Sequence, residues 1–356
     1  MASPRADRLV SLVEAAISRL DEGDIEGAEQ KIAQAARIDP HHPDVLSVQA
    51  SIAALDGDLE RALDLVAKAV ERAPEEVGIL INAADLALLA DPEIALGYAR
   101  RAAELVEEEE ELIAAVLIMA EAHLVLERPA EAREVLSELA SAVIDDASTI
   151  LDVAHAYLAA EDPTTAELWL RRLTTAGSGE GADGGGDSGG GDETHAADAW
   201  HAIGQCREAK GDREGMIHAW RETLRRDTAL PAPALSLSDD ELEAIVTAAL
   251  DELPAEVHKH LANVPILVDD LPAEHLVDEG WDPRLLGLFE GTPLPEQSSV
   301  GGAPSVTTIH LYKTNLERFV GDDREALVEE IRITVLHETA HYFGLDDDDL
   351  AKLGLD

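Results

Sequence analysis

Apolar residues recur at spacings of three and four from residue 5 to residue 173, with acidic residues between them. Such a period places apolar side chains on one helix face, so it predicts a succession of amphipathic helices. Two segments repeat visibly, GDIEGAEQKIAQAARIDP and GDLERALDLVAKAVERAP, and their prolines, Pro40 and Pro74, lie 34 residues apart. Each repeat predicts a first helix, a Gly-Asp turn, a second helix with an alanine-rich face, and a proline that ends the unit.

A 34-residue unit of two helices has the period of tetratricopeptide repeats. The two clear units resemble that family, since Ala28 recurs as Ala62 and Ala33 as Ala67, small residues that let paired helices approach closely. Weaker units follow, and they predict about five helix pairs before residue 175. The resemblance implies an α-solenoid that binds a protein partner, and the alternative is a generic solenoid or helical bundle.

The stretch AGSGEGADGGGDSGGGDET, residues 176–194, contains nine glycines and no large apolar residue, which predicts a disordered loop. The helix-pair pattern returns after it, so the loop interrupts the array rather than ending it. The prolines of LPAPALS break helices and precede a new pattern. We therefore predict a repeat array over residues 1–229 and a linker over residues 230–236.

The remaining residues, 237–356, carry a mixed pattern that predicts a small α+β domain. The first predicted helix begins at Ser238, with Glu241 three residues later as in a capping box. Strands are predicted in VPILVDD, LLGLFEGTPL and TTIHLYKTNLERF, and a long helix in DDREALVEEIRITVLHETAHYF, which Gly344 ends. The order is α, β, β, β, α with a short last helix. The expected fold class is mainly α, a solenoid followed by this small domain.

Charge and cysteine content limit the classes of binding partner and the cellular compartment that we expect for this protein. The chain has 74 acidic and 27 basic residues and a net charge of −47. A surface this acidic repels nucleic acid and anionic membranes, while attraction of basic partners and adaptation to a salty cytosol both stay open. The single cysteine, Cys206, excludes an internal disulfide and fits a reducing compartment. With no signal-peptide pattern and no membrane-spanning apolar run, we expect a cytoplasmic protein.

The last predicted helix carries the sequence HETAH at residues 337–341. On a helix, His337 and His341 lie one turn apart on the same face, so both imidazoles can bind one metal ion. Zinc is the natural ion for neutral imidazoles with an open water position. Glu338 projects beside that ion rather than onto it, where it can take a proton from zinc-bound water.

A third zinc ligand is predicted just after this helix. Gly344 lets the chain turn sharply, and Asp347 lies six residues past His341, as in HExxHxxGxxD. Asp346 is an alternative ligand, and the two aspartates that follow are better explained as caps of the final helix. The alternative to a metal site is an acidic helix that happens to carry two histidines.

The C-terminal domain resembles the minimal zincin family, small metallopeptidase domains with the HExxHxxGxxD signature. The resemblance covers about 120 residues and includes DELPAEV, NVPILVDD, LLGLFEGTPL, TIHLYKTNLERF and EEIRITVLHETAHYFGLDDDDLAKLG in that order. It implies a zinc domain in which His337, His341 and Asp347 are ligands and Glu338 is the general base. In zincins generally, an extended substrate pairs along the strand before the active-site helix, so TIHLYKTNL is the expected edge strand.

Three other residues of this domain are considered for the site. Tyr312 and Tyr342 are candidates for stabilising an oxyanion, although packing explains both of them better. His310 stands where the family resemblance leads us to expect a non-ionising residue, and an exposed strand histidine explains it.

Together these features predict a zinc-dependent metallopeptidase, a hydrolase that cleaves peptide bonds with a zinc-bound water activated by Glu338. Its expected partners are a peptide or protein substrate and a protein bound by the repeats. The alternative is a non-catalytic protein-interaction scaffold whose zincin-like domain binds metal. Glu338 favours the enzyme, because a purely structural zinc site does not need it. The sequence leaves open the substrate, the cleavage specificity, the partner of the repeats and the oligomeric state.

Overall fold

The computed structural model describes residues 4–176, 189–251, 253, 260–261, 264–294 and 307–346. The chain forms two compact units, Met1–Arg172 and Leu173–Asp356. The first is a helical repeat array, and the second combines further helices with a three-stranded sheet. This confirms the expected fold class. Nowhere in the described part of the chain is a helix both long and apolar enough to cross a membrane.

The first unit consists of five consecutive helix pairs, which confirms the number predicted from the repeats. A short 3-10 turn, Ser137–Ser141, follows the second helix of the fourth pair. The pairs are α1 (Pro4–Asp21) with α2 (Ile25–Ile38), α3 (Pro43–Leu55) with α4 (Leu59–Arg72), α5 (Val77–Leu88) with α6 (Pro92–Leu105), α7 (Glu109–Val125) with α8 (Pro129–Leu136), and α9 (Ala147–Ala159) with α10 (Pro163–Ala176).

The Gly-Asp dipeptides of the first two repeats make the turns between paired helices. Gly23 and Gly57 have φ angles of 74° and 80°, in the left-handed region that glycine adopts without steric cost. Asp24 and Asp58 then cap the second helices, and each carboxylate accepts a hydrogen bond from the backbone N–H three residues later, at 2.8 and 3.2 Å. The dipeptide therefore both reverses the chain and starts the second helix.

The alanines that pack between helices are partly different from those expected. Ala28 and its repeat equivalent Ala62 are fully buried, as predicted. Ala33 and Ala67 are exposed, so their predicted role in helix approach is wrong. The buried face continues instead with residues four and seven positions after the first alanine, which share one side of a helix. These residues are Ile32, Ala35, Val66 and Ala69.

The second unit begins with a sixth helix pair and continues into the mixed domain. Two short helices of this region, Glu274–Glu279 and Lys313–Val320, were not separately expected in the predicted order. The predicted last helix lies outside the described residues. The elements are α11 (Gly189–Ala209), α12 (Arg213–Ala229), α13 (Asp239–Asp251), β1 (Ile266–Asp269), α14 (Glu274–Glu279), β2 (Gly287–Glu290), β3 (Thr308–Tyr312), α15 (Lys313–Val320) and α16 (Arg324–Tyr342).

Helix α11 begins inside the glycine-rich stretch. Its first residue is Gly189, so the end of the loop predicted over residues 176–194 is helical, and residues 177–188 lie outside the described part of the chain. Glu193 in its first turns accepts a hydrogen bond from Arg226 of α12 at 2.9 Å. This ion pair ties the start of α11 to its partner helix, a contact that glycine content alone does not reveal.

The sixth pair packs directly on the mixed domain. Met216 and Trp220 of α12 form an apolar cluster with Val277 of α14. A partly buried ionic network lies nearby, in which the Arg284 guanidinium donates two hydrogen bonds to Asp227, at 2.9 and 3.0 Å, and a third to Asp198 at 2.7 Å. Because Asp227 is only 3% exposed, this bidentate pairing compensates a carboxylate that burial would otherwise destabilise.

A second polar contact joins α11 to the segment before β2. The His201 Nε2 atom lies 2.9 Å from both carboxylate oxygens of Asp282. Burial alone would raise the pKa of Asp282, but the hydrogen bond and charge of His201 and the backbone N–H of Arg284 hold that pKa below its usual range. These contacts attach the last helix pair to the domain that contains the candidate site. The linker predicted over residues 230–236 stays a prediction about domain boundaries.

The sheet has the strand order β1-β3-β2, with β1 parallel and β2 antiparallel to β3. Ile309 and Leu311 of β3 are completely buried and pack with residues of α13 and α16 on one face of the sheet. The core of the mixed domain therefore lies between the sheet and α16.

Candidate metal centre

Helix α16 holds the HETAH residues and is fixed at its start and along one side. Asp323 caps its N-terminus by accepting hydrogen bonds from two backbone N–H groups, at 2.9 and 3.0 Å. Leu327, Ile331 and Val335, spaced four residues apart, are completely buried against the sheet. This apolar stripe sets the rotation of the helix, and with it the directions of the side chains that follow.

His337 and His341 come together as the spacing predicts. Their Nε2 atoms are 3.0 Å apart, and the ring centroids are 4.6 Å apart with an interplanar angle of 81°. Two imidazole nitrogens on one tetrahedral zinc ion lie about 3.3 Å apart when each Zn–N bond is about 2.05 Å. The pair therefore fits two adjacent positions of a zinc coordination shell with little rearrangement.

The backbone just after the helix orients one of these rings. The Nδ1 atom of His341 lies 2.9 Å from the carbonyl oxygen of Leu345. A carbonyl oxygen only accepts hydrogen bonds, so Nδ1 carries the proton and Nε2 keeps its lone pair for a metal. A carbonyl partner of this kind is typical of histidines that bind metals.

Gly344 makes the turn that brings this carbonyl into place. Its φ angle is 84°, its N–H donates to the His341 carbonyl at 2.9 Å, and the Leu345 N–H donates to the Ala340 carbonyl at 3.1 Å. This is the Schellman arrangement, in which a left-handed residue ends a helix. The glycine predicted to end the helix therefore also determines where the Leu345 carbonyl lies.

Replacing Gly344 with alanine is expected to reduce stability and zinc affinity together. An alanine at positive φ costs about 1–2 kcal/mol, which should appear in the free energy of unfolding measured with denaturant. Displacing the Leu345 carbonyl should weaken zinc binding about tenfold in a competition titration with a chelator. Gly321 is the matched control, since it also has positive φ but lies away from the histidines. Equal loss of zinc affinity in G321A would contradict a specific role for the turn.

Glu338 lies next to the histidine pair and against strand β2. Its side chain is 7% exposed. A Cβ atom added at Gly287 would lie 2.9 Å from the Glu338 Cγ atom, 3.0 Å from its Oε1 atom and 2.7 Å from a methyl group of Thr334. The carboxylate is thus held against the backbone of β2, at a position that only glycine leaves open. Sequence reasoning found Glu338 but missed Gly287, whose only signal was a glycine at the start of a short strand.

The third predicted ligand, Asp347, lies outside the described residues. Asp346 is described, and it is exposed. Within the described ranges, no third Asp, Glu, His or Cys joins the two histidines in a group able to hold a metal ion. Asp346 is therefore not placed with the pair, and Asp347 stays the predicted ligand.

The expected edge strand is not at an edge. Strand β3 lies in the middle of the sheet, hydrogen-bonded to β1 on one side and to β2 on the other, so this expectation is wrong. Four of its five residues are buried, the pattern of a strand covered on both faces and paired on both sides. Of the two outer strands described, β2 makes the more extensive contact with α16.

Tyr312, at the end of β3, is almost completely buried, and its hydroxyl has no hydrogen-bond partner among the described residues. Burial raises the pKa of this phenol, and the carboxylates of Asp269, Glu290 and Glu338 raise it further. Tyr312 therefore stays protonated and retains a hydrogen-bond donor close enough to Glu338 to sense its charge.

The other two residues considered from the sequence have structural partners. The Tyr342 hydroxyl donates to the backbone carbonyl of His260 at 3.3 Å, which supports a packing role. His310 is not exposed as expected, since its Nδ1 atom lies 3.0 Å from an Asp269 oxygen and its Nε2 atom 3.6 Å from a Glu290 oxygen. It bridges carboxylates from both neighbouring strands of the sheet.

Comparison with known proteins finds a family match in the C-terminal region. Residues 261–355 match the family model of the zincin-like metallopeptidases. The expected order, tetratricopeptide-like repeats followed by a zincin-like domain, is confirmed. No curated protein matches the chain.

Several solved structures are similar to parts of this chain. PilF of Pseudomonas aeruginosa is 16% identical, with a TM-score of 0.48 over 63% of this chain and 93% of its own. A tetratricopeptide repeat protein from Thermus thermophilus is 17% identical, with a TM-score of 0.40 over 46% of this chain and 89% of its own. One from Parabacteroides merdae is 18% identical, with a TM-score of 0.38 over 72% and 97%.

Proposed function

We propose that the protein is a zinc-dependent metallopeptidase whose helical repeats bind a protein partner. The observation that carries this proposal is the pair of Nε2 atoms of His337 and His341, 3.0 Å apart, with Glu338 buried beside them. The match of residues 261–355 to zincin-like metallopeptidases supports the same conclusion. A purely structural zinc site has four protein ligands and no need of an adjacent buried glutamate.

In this proposal His337 and His341 hold the zinc ion, and Asp347 is the third protein ligand. Zinc, when bound, supplies a Lewis acid that polarises a carbonyl and lowers the pKa of water. The Glu338 carboxylate takes a proton from the attacking water and later delivers it to the leaving amine. Its contact with the β2 backbone at Gly287 restricts its motion, so the acceptor oxygen stays near the site.

We propose β2, rather than β3, as the strand beside which an extended peptide binds. Strand β2 is the outer strand with the more extensive contact to α16, and backbone pairing along a strand aligns a substrate without demanding particular side chains. We also propose that the protein acts in a reducing cytoplasm, since its one cysteine, Cys206, is buried rather than used in a disulfide.

The test is metal content and metal-dependent hydrolysis of the purified full chain. We expect about one zinc per chain by elemental analysis and cleavage of a denatured, fluorescently labelled protein. A zinc chelator should abolish cleavage, and added zinc should restore it. Bound zinc without cleavage would refute the peptidase and support the alternative, a metal-binding interaction scaffold. Absence of zinc after reconstitution would leave only an acidic helix with two histidines.

A further inference from the structure

Cations are unevenly distributed over the repeats of the first unit. We call the first helix of each pair (α1, α3, α5, α7, α9) an A helix and the second (α2, α4, α6, α8, α10) a B helix. Helices α3, α5, α7 and α9 contain no lysine or arginine. The B helices contain ten, which are Lys31, Arg37, Arg61, Lys68, Arg72, Arg100, Arg101, Arg133, Arg171 and Arg172. The general acidity of the chain does not explain this asymmetry, because it would lower the cation content of both sets alike.

The A helices form a continuous surface. Each one contacts the next, from α1 through α3, α5 and α7 to α9. We call this surface the A-helix face. Helix α1 carries Arg5, Arg8 and Arg19, whereas the other four A helices carry no lysine or arginine. Negative potential on the A-helix face is therefore concentrated along α3, α5, α7 and α9.

The first half of the A-helix face contains a cavity of about 800 Å³ with apolar walls, lined by α1, α3 and α5. Four large apolar side chains that line it, Val10, Ile17, Leu55 and Leu89, are between 45% and 68% exposed. Large apolar side chains gathered in one concave surface are typical of sites that bind another polypeptide. The cavity therefore offers area that a partner's apolar side chains can bury.

Carboxylates surround these apolar side chains. Glu14, Asp21, Asp44, Glu76 and Asp85 line the same cavity, and none of the described residues that line it is lysine or arginine. Partial desolvation raises the pKa of Asp85, while its side chain stays exposed to an approaching partner. An acidic or anionic occupant would be repelled here.

The second half of the A-helix face also combines apolar side chains with surrounding carboxylates. A cavity of about 930 Å³ lies between α7 and α9, with Ile113, Leu117 and Val143 as apolar lining. No lysine or arginine occurs among its described lining residues either. Its carboxylates are Glu108, Glu109, Glu110, Asp145, Asp146 and Asp152. Two separate cavities on one face thus share an apolar floor and an acidic rim.

We propose that the A-helix face binds a cationic amphipathic segment of a partner protein, a stretch in which lysine or arginine alternates with large apolar residues. The apolar side chains bury against the cavity floors, and the cations pair with the rim carboxylates, which also accelerate association. The inference rests on the proposed protein-binding role of the repeats and specifies the chemistry of that partner.

The test is fluorescence anisotropy with the full chain carrying E338Q, so that cleavage cannot remove the probe. The probe is a labelled peptide of leucine, alanine and lysine, and the comparison peptide has glutamate at every lysine position. We expect the lysine peptide to bind at least tenfold more tightly, and its binding to weaken at least tenfold in 1 M salt. Equal affinity for the two peptides would overturn the proposal.

Matched charge reversals locate the binding surface. Glu14→Lys with Asp85→Lys changes the A-helix face, and Glu29→Lys with Glu71→Lys makes the same charge change on B helices α2 and α4. We expect at least tenfold weaker binding for the first pair and less than twofold change for the second. Equal weakening would indicate general acidity and overturn the assignment. If the first pair of substitutions unfolds the chain, the double variant Leu55→Ser with Leu89→Ser tests the apolar floor instead. Unchanged affinity of that variant for the lysine peptide would also overturn the proposal.

The outcome is separable from that of the proposed enzyme. Binding of the lysine peptide to the E338Q chain, together with no hydrolysis of the denatured protein by the wild-type chain, would refute the proposed peptidase and leave this inference intact. Zinc-dependent hydrolysis by the wild-type chain, together with equal affinity for the lysine and glutamate peptides, would support the peptidase and refute this inference.

Discussion

Replacement of His341 by alanine is expected to remove zinc from the protein and abolish hydrolysis. The side chain supplies one of two Nε2 atoms that are 3.0 Å apart, and its Nδ1 atom is held by the Leu345 carbonyl. Alanine leaves one histidine and one predicted carboxylate ligand, too few for tight zinc binding in a three-ligand site. The zinc content, measured by elemental analysis after dialysis, should fall from about one per chain to near zero.

The matched control for this prediction is His275→Ala. His275 lies in the same unit, on α14, and is exposed. Its loss removes an imidazole but should leave zinc content and hydrolysis unchanged. Retention of stoichiometric zinc in the folded H341A variant would show that the metal binds elsewhere and would refute the site.

Replacement of Glu338 by glutamine should separate chemistry from metal binding. Glutamine has nearly the same size, so it preserves the contact with the β2 backbone, but it accepts no proton at neutral pH. Zinc content should stay near that of the wild type. The hydrolysis rate at saturating substrate should fall about a thousandfold, the contribution of a positioned general base.

Glu329→Gln, on the exposed side of the same helix, is the control for this change. It removes the same charge from α16 and is expected to leave the rate unchanged. A rate for E338Q within tenfold of wild type would exclude Glu338 as the general base. Loss of zinc in E338Q would show instead that this carboxylate is needed to hold the metal.

Local sequence patterns were sufficient for the helix pairs of the repeats and for the histidine pair. A spacing of four residues places two side chains on one face of any regular helix, so His337 and His341 meet without help from the rest of the fold. The Gly-Asp turns and the end of α16 at Gly344 also depend on neighbouring residues only, through positive φ angles and hydrogen bonds a few residues long.

Tertiary structure decided the strand order, the buried faces of the helices and the surroundings of Glu338, because each of these depends on residues far apart in the sequence. Strand β3 is central because β1 and β2 both pair with it, and no pattern within TIHLY specifies two partners. The buried alanines of the repeats, Ala35 and Ala69, depend on which helix face meets the neighbouring helix. Gly287 and Glu338 are 51 positions apart and meet only because β2 packs on α16. The sequence by itself therefore determined the helical repeats and the pairing of His337 with His341, whereas packing between elements decided the strand order and the position of Glu338 against β2.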